Sequence, residues 1–331
     1  MYNILLCSVG RNGAMVKSLR ESLQGKGLLV AVDRDNTAPA LYLADKSYTV
    51  PRSDHESYLS VLLEICEKEA IKVVLPLVNK DIPILAANQD KFSEKGIVLL
   101  VSSLETVELC LDRYMTYKIL KDNNIHTTKT YFAKAEIMIA LEKKDLGFPL
   151  FAKLRKGDNI SAATIVVSTE DLDRVLSLSD DYIIQEYMHN CIEVDADIYV
   201  DKVSKKVVSI FSKLYVENRH RGTTKTVSFH DDRLFDMIHE VNRLFDFAGP
   251  IDMRFFCDKG VYYLTKINPH FGGAYPHAYG TGVDFIPLIL NNIGSTENMS
   301  NIGNYEKNVV MMMYDEVVIH KQNELIWGKY S

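Results

Sequence analysis

Between residues 3 and 101, short apolar strands and amphipathic helices alternate with little between them. Residues 3–8, 27–32, 48–50, 71–76 and 97–101 have the texture of buried strands, and residues 14–23, 38–44, 55–69 and 82–91 that of helices. In 55–69, Tyr58, Val61, Leu62 and Ile65 recur on one helical face. Strands joined through helices lie parallel, because a parallel pair needs a long crossover. The N-terminal part, residues 1–110, is therefore expected to be an α/β, Rossmann-like parallel sheet with helices on its faces.

The texture then changes. Helices are expected over 104–111, capped by Ser102-Ser103, and over 112–123. From Lys129 onward the strands 130–133, 150–153, 164–167, 182–185, 193–200 and 206–215 are joined by short helices at 135–143 and 169–176. This is an α+β, largely antiparallel pattern. It places a second unit at 111–305, with a small lobe at about 125–187 and a larger one at about 188–305. A further helix is expected over 231–245, a hairpin over 250–257 and 261–267, and a C-terminal strand extension in 306–331, with strand texture at 309–319. Charged residues are 25% of the chain and the net charge is −6, with no basic tract, which argues against nucleic acid as a partner. No apolar run approaches the roughly 18 residues that span a bilayer, and the N-terminus lacks a charged segment ahead of its apolar run. The five cysteines are dispersed and never spaced CxxC, as expected of reduced thiols in a cytoplasmic protein without a zinc site.

Several stretches carry chemistry. Gly10-Arg11-Asn12-Gly13 after the first strand, with Asp33 ending the second, is an incomplete dinucleotide fingerprint, better read as a tight turn into a helix. Lys153 ends an apolar strand and precedes the polar loop Arg155–Ser161, a setting suited either to a polyphosphate or to a solvated turn. Glu193, Asp195 and Asp197 alternate on one face of a strand; stacked acids repel unless a cation, a metal or sugar hydroxyls meet them, or the edge faces solvent. His270 and His277 lack the partners of a metal site. The stretch Lys266-Ile267-Asn268-Pro269-His270-Phe271-Gly272-Gly273 leads from a strand into a glycine-rich loop that would present a site, yet the polar group at the strand end is a lysine.

Taken in order, Asp112-Arg113, Lys153 with its loop, Gln185-Glu186-Tyr187-Met188, Glu193, and the closing KINPHFGGAYPHAYGTGVDF resemble the ATP-grasp superfamily, in the branch of the carbamoyl-phosphate synthase large subunit. The resemblance covers nearly the whole chain and includes the α/β domain that precedes the ATP-grasp domain in that family. It implies ATP held between two α+β lobes, with a small-molecule carboxylate activated as an acyl-phosphate and then attacked by an amine or similar nucleophile. By position, Arg113 and Lys153 would meet phosphates, and Ser161 would lie in the flap. Gln185, Glu186, Tyr187 and Met188 would form the adenine hinge, and Glu193 would take the ribose hydroxyls. Asn268 is kept from the family's motif, while His270 stands where the family has arginine. Lys225, in the basic loop 219–226, is a candidate for substrate carboxylate or transferred phosphoryl.

One departure stands out. The family carries magnesium-binding carboxylates at the positions of Arg254 and Lys266, and a hard Mg²⁺ needs oxygen ligands. The residues thus offer ATP a site without an ordinary magnesium site. A hairpin turning about Lys259 sets Asp252 opposite Lys266 and makes Arg254 and Lys266 diagonal neighbours. Two positive charges about 6 Å apart repel by roughly 3 kcal/mol at an effective dielectric near 20. The anion between them is either Asp252 or the nucleotide's own phosphates. An active ligase, a degenerate binder of nucleotide or another anion, and a structural partner subunit remain as three readings.

Overall fold

The computed structural model describes residues 1–157, 162–219 and 222–326. In chain order it opens with β1 (Asn3–Cys7), α1 (Gly13–Leu23), β2 (Leu29–Asp33), a 3₁₀ turn (Pro39–Leu43), β3 (Lys46–Thr49), α2 (Tyr58–Lys68), β4 (Ile71–Pro76), α3 (Ile82–Ala86), α4 (Gln89–Ser93) and β5 (Val98–Leu99). These strands form a parallel sheet in the order β3-β2-β1-β4-β5. The central β1 and β2 are buried at every residue, which is why they read as nearly unbroken apolar runs. Leu5, Val30, Val32 and Val74 pack with Val61, Leu62 and Ile65 of α2. Ile4, Leu6, Ala31 and Val73 face Val16 and Leu19 of α1, and they also meet Tyr275, Ala278, Ile286 and Ile289 from far along the chain. The helix expected over 82–91 is two short ones, because the Asn88 amide donates to the Ile84 carbonyl at 2.8 Å and ends the first.

Next come α5 (Leu104–Leu111) and α6 (Arg113–Asp122). Each begins at a side-chain cap, Ser103 for one and Asp112 for the other, which accept backbone N–H groups of the first turn. A second sheet follows from β6 (Thr130–Tyr131), β7 (Leu150–Leu154), β8 (Thr164–Val166) and β9 (Tyr182–Glu186), with α7 (Lys134–Glu142) and α8 (Thr169–Leu178) beside it. It is antiparallel in the order β6-β9-β7-β8, over a small core that includes Ile137, Leu150, Leu172 and Ile184.

The third sheet is the largest. It contains β10 (Ile192–Val200), β11 (Val207–Arg219), β12 (Gly222–Phe229), β13 (Gly249–Asp258), β14 (Val261–Asn268) and β15 (Val310–Met312), ordered β14-β13-β10-β11-β12-β15 and antiparallel throughout. Alternation sorts its two faces. Val194, Ala196, Ile198, Met253, Phe255 and Leu264 point toward α9 (Asp232–Asn242), whose Leu234, Ile238 and Val241 complete that core. The opposite face carries the polar residues of the site. Three expectations are corrected here. Residues 222–226 are strand and not loop: β12 begins at Gly222, and its threonine-rich sequence hides a strand whose Thr226 and Ser228 are fully buried. Within 309–319 only Val310–Met312 pairs, with β12. The glycine-rich stretch after β14 holds a helix, α10 (Tyr275–Gly280), followed by α11 (Ile286–Ile293). Among the described residues no helix is long and apolar enough to cross a membrane.

Candidate functional site

A cleft of about 260 Å³ lies between the second and third sheets. Phe151 and Lys153 reach it from β7, Gln185–Met188 from the end of β9, Glu193 from β10 and Tyr215 from β11, with Arg254 and Phe256 on β13 and Thr265 and Lys266 on β14. Strand parity explains the set. Phe151 and Lys153 face the cleft while Ala152 between them is buried in the small lobe's core. The hinge is pinned from behind. The Gln185 amide donates to Thr130 Oγ1 at 2.7 Å, and the Glu186 carboxylate accepts the Lys129 N–H at 2.8 Å. Tyr187 stands 6.5 Å from the Phe151 ring, so an aromatic wall borders the hinge.

Cations gather at the other end. Burial pushes the Lys153 ammonium down to about 7, and the charges of Arg113 and Lys266 push it in the same direction. Arg113, at the first turn of α6, donates to the carbonyls of Leu154 at 2.9 Å and Gly157 at 2.6 Å, and so holds the start of the loop after β7. It lines a neighbouring cavity, which Lys266 shares with the cleft.

The floor is a two-rung ladder across the third sheet. On one rung Lys213, Asp195, Arg254 and Lys266 stand side by side on β11, β10, β13 and β14. On the next, Asp197 faces Asp252, which faces Asn268. This corrects the expected register. Lys259 and Gly260, both at positive φ, make a two-residue turn, and Thr265 is an extra residue bulged out between Leu264 and Lys266. The turn and the bulge each shift the pairing by one residue, and together they move Lys266 from diagonal to directly opposite Arg254 and set Asn268, not Lys266, opposite Asp252.

Asp195, Asp197, Asp252 and Lys213 are almost wholly buried. The Lys213 ammonium bonds Asp197 and lies 3.6 Å from Asp195, whose carboxylate also accepts the Tyr215 hydroxyl at 2.7 Å. Asn268 donates to Asp252 at 2.5 Å, and Arg254 Nε is 3.8 Å from the same carboxylate. Burial works against the Arg254 charge, but Asp252, Tyr215, Asp195 and Glu193 outweigh it and raise its pKa. Gly272 closes the cluster: a Cβ there would sit 2.5 Å from Asp252 Oδ1 and 2.6 Å from Asp197 Oδ1.

Burial, with Asp252 adding to it, raises the Asp195 carboxyl to about 7 against the pull of Lys213. Burial also raises Asp197 to about 6, Lys213 opposing and Asp195 adding. The native state then keeps protons that the unfolded chain, with aspartates near 3.9, has released. Stability from this pair falls as pH climbs from about 4 to about 7. His277 acts in the opposite sense below about 6.5, because burial and then Lys213 lower it to about 4. The contrast with a variant isolates the acids: on going from pH 5 to 7, Asp195→Asn should gain melting temperature relative to wild type. Parallel melting curves across that window would show that Asp195 is not protonated in the native protein.

A magnesium ion does not fit the expected positions, which hold two cations. Asp252 and Asn268 bond each other, and among the described residues no three of His, Cys, Asp and Glu are set to hold a metal. The described residues lining the cleft include neither Asn268, His270 nor Lys225. Asn268 is buried and accepts from Asn79 at 3.2 Å, His270 Nδ1 lies 2.7 Å from the Phe271 carbonyl, and Lys225 is exposed on β12 beside β15. Ser161 and Arg221 lie outside the described residues. His277 is locked between Thr226 Oγ1 at 2.8 Å and the Val309 carbonyl at 3.1 Å. At the N-terminal turn, Asp33 accepts the Gly10 N–H at 2.8 Å and so occupies the donor a dinucleotide would need. Phe151 and Tyr215 were not anticipated; Phe151 was readable from its parity with Lys153, whereas Tyr215 needed the β10–β11 register.

A two-lobed nucleotide-type cleft behind a parallel α/β domain defines the ATP-grasp architecture. Residues 4–100 match the family described as PylC-like, N-terminal domain. The chain is 28% identical over 172 residues to a formate-dependent phosphoribosylglycinamide formyltransferase of Hydrogenovibrio crunogenus, covering 51% of this chain and 41% of that enzyme. It is 22% identical over 252 residues to the carbamoyl phosphate synthase large chain of Sulfurisphaera tokodaii, covering 68% of this chain but 23% of that one. This chain thus spans less than half the length of either relative. N5-carboxyaminoimidazole synthetase from Staphylococcus aureus, solved also with ADP, superposes with a TM-score of 0.74 at 18% identity, over 94% of this chain and 82% of that one. The chain is thus similar over most of its length to the carbamoyl-phosphate synthase-like branch of the ATP-grasp superfamily.

Proposed function

We propose that this protein binds ATP in the cleft and activates a small carboxylate as an acyl-phosphate for attack by an amine or similar nucleophile. The observation that supports it is the convergence on one cleft of Lys153, the 185–188 hinge, Glu193, Arg254 and Lys266. Adenine would lie by the aromatic wall against the hinge backbone, since the Gln185 and Glu186 side chains already have partners. Glu193 would take the ribose hydroxyls. Lys153, Lys266 and Arg254 would meet the phosphates, with Arg113 bracing the loop beside them. In this reading Arg254 and Lys266 do the neutralising that magnesium does elsewhere, and the order of the rung gives Arg254 a second task as counter-ion of Asp252 and Asp195. Forming the acyl-phosphate requires the γ-phosphoryl group to be held in place and its charge offset, and this set of cations suits that need.

The replaced metal carboxylates favour a second reading, a nucleotide binder without ligase chemistry. Calorimetry with ATP and ADP, with and without Mg²⁺, tests the shared premise. Glu193→Ala should lower affinity at least tenfold at unchanged melting temperature, since hydrogen bonds to a charged acceptor are worth about 1.5–3 kcal/mol each. No binding by wild type at millimolar nucleotide would remove both readings.

A further inference from the structure

A second cavity, about 300 Å³, adjoins the cleft and shares Gln185, Thr265 and Lys266 with it. It is set between the loop after β4, helices α5 and α6, and the edge strand β14. Its floor is apolar: Pro83, Leu111 and Tyr117 line it, over the buried side chains of Leu120, Leu264 and Ile267. Its polar side is cationic, with Lys80, Arg113, Lys156 and Lys266 all on the lining, Lys156 standing 3.7 Å from the Asp112 carboxylate behind it. Among the described residues that line it there is no aspartate or glutamate. An apolar chamber with a few convergent charges is the usual form of a small-molecule site. The charges select an anion, and the floor selects what the anion carries.

We infer that this cavity holds the acid to be activated, and that this acid has a compact apolar body, of the aryl or branched-chain kind. The inference rests on the reading of the cleft as an ATP site. Taking roughly 30 Å³ per water as a gauge, the volume corresponds to about ten waters, room for an acid of about ten non-hydrogen atoms. Such an acid would lay its body on Pro83, Leu111 and Tyr117. Its carboxylate would then lie toward Lys266 and Arg113, on the side where the cavity meets the cleft. Formate or bicarbonate would fill the mouth alone and leave the floor bare, so apolar burial would add nothing to their binding.

Phenylacetate is a probe of the right size, with acetate as its truncated control. Titrated into protein saturated with a non-hydrolysable ATP analogue, phenylacetate should bind at least tenfold more tightly than acetate. Leu111→Trp, which fills the cavity from α5, should abolish phenylacetate binding and leave affinity for the analogue within about twofold. If that variant does not fold, Leu120→Phe serves the same purpose with less added volume. Equal affinity for the two acids overturns the inference, as does phenylacetate binding that survives the filling variant. Analogue binding without either acid also overturns it, while leaving the nucleotide reading intact. Phenylacetate binding that the filling variant abolishes, in a protein that ignores the analogue, supports the cavity assignment and removes the ATP reading instead.

Discussion

ATP affinity should drop about tenfold as pH is raised from 7 to 8.5, with one proton taken up per nucleotide bound at the upper end. In the free protein Lys153 has a pKa of about 7, set by burial and then by Arg113 and Lys266. A polyphosphate placed among these three groups favours the ammonium. Above pH 7 the free side chain is neutral, so binding must recharge it, and affinity falls by up to about tenfold per pH unit until the pKa of the complex is reached. Calorimetry in two buffers of different ionisation enthalpy reads the proton directly. Lys153→Met should bind ATP more weakly at pH 7, show no proton uptake and lose the pH slope, while adenosine binding changes little. A flat profile in wild type, or equal losses for ATP and adenosine, would remove Lys153 from the phosphate site.

The second large effect concerns Arg254 and Lys266. Wild-type ATP binding should persist in EDTA, gain little from Mg²⁺ and weaken with salt. In the double variant Arg254→Glu with Lys266→Glu, two carboxylates would face each other across the β13–β14 pair and face the phosphates as well. A unit charge about 6 Å from a phosphate charge is worth roughly 3 kcal/mol at an effective dielectric near 20, and reversing it changes the interaction by about twice that. ATP binding in EDTA should therefore fall by a hundredfold or more, and Mg²⁺ should restore it. The ladder adds a consequence for the fold, because Arg254 also offsets Asp252 and Asp195. The double variant should melt lower in EDTA than in Mg²⁺, whereas Lys266→Glu alone, which leaves Arg254 beside Asp252, should show the smaller difference. A wild type that needs Mg²⁺ for ATP binding would sink the substitution account.

Much of the site was legible because it lies in strands whose faces alternate. Glu193, Asp195 and Asp197 were readable as one face from their spacing, and Lys153 and the hinge from their order along the chain. What their neighbours are was not readable. Lys213 answers Asp195 through the β10–β11 pairing, and that register depends on a bulge near Tyr199–Val200 that no local pattern announces. The hairpin register failed for the same reason. The two-residue turn shifts the pairing by one residue and the unpaired Thr265 by one more, and a turn count from Lys259 sees neither. Residues 222–229 failed differently: threonine and serine buried in a polar sheet face give none of the apolar alternation by which a strand is recognised.

The face of the N-terminal sheet that meets Tyr275, Ala278, Ile286 and Ile289 has a consequence for how such a chain is inherited. The break at about residue 100, so plain in the pattern of strands and helices, is not a break in packing. Ser22 of α1 bonds Asp284, 262 residues further along the chain. Recombination that swapped the first segment between relatives would carry half of a fitted surface and leave its mate behind. The two segments that form this surface should therefore vary together, even though a family match can be drawn around residues 4–100 alone.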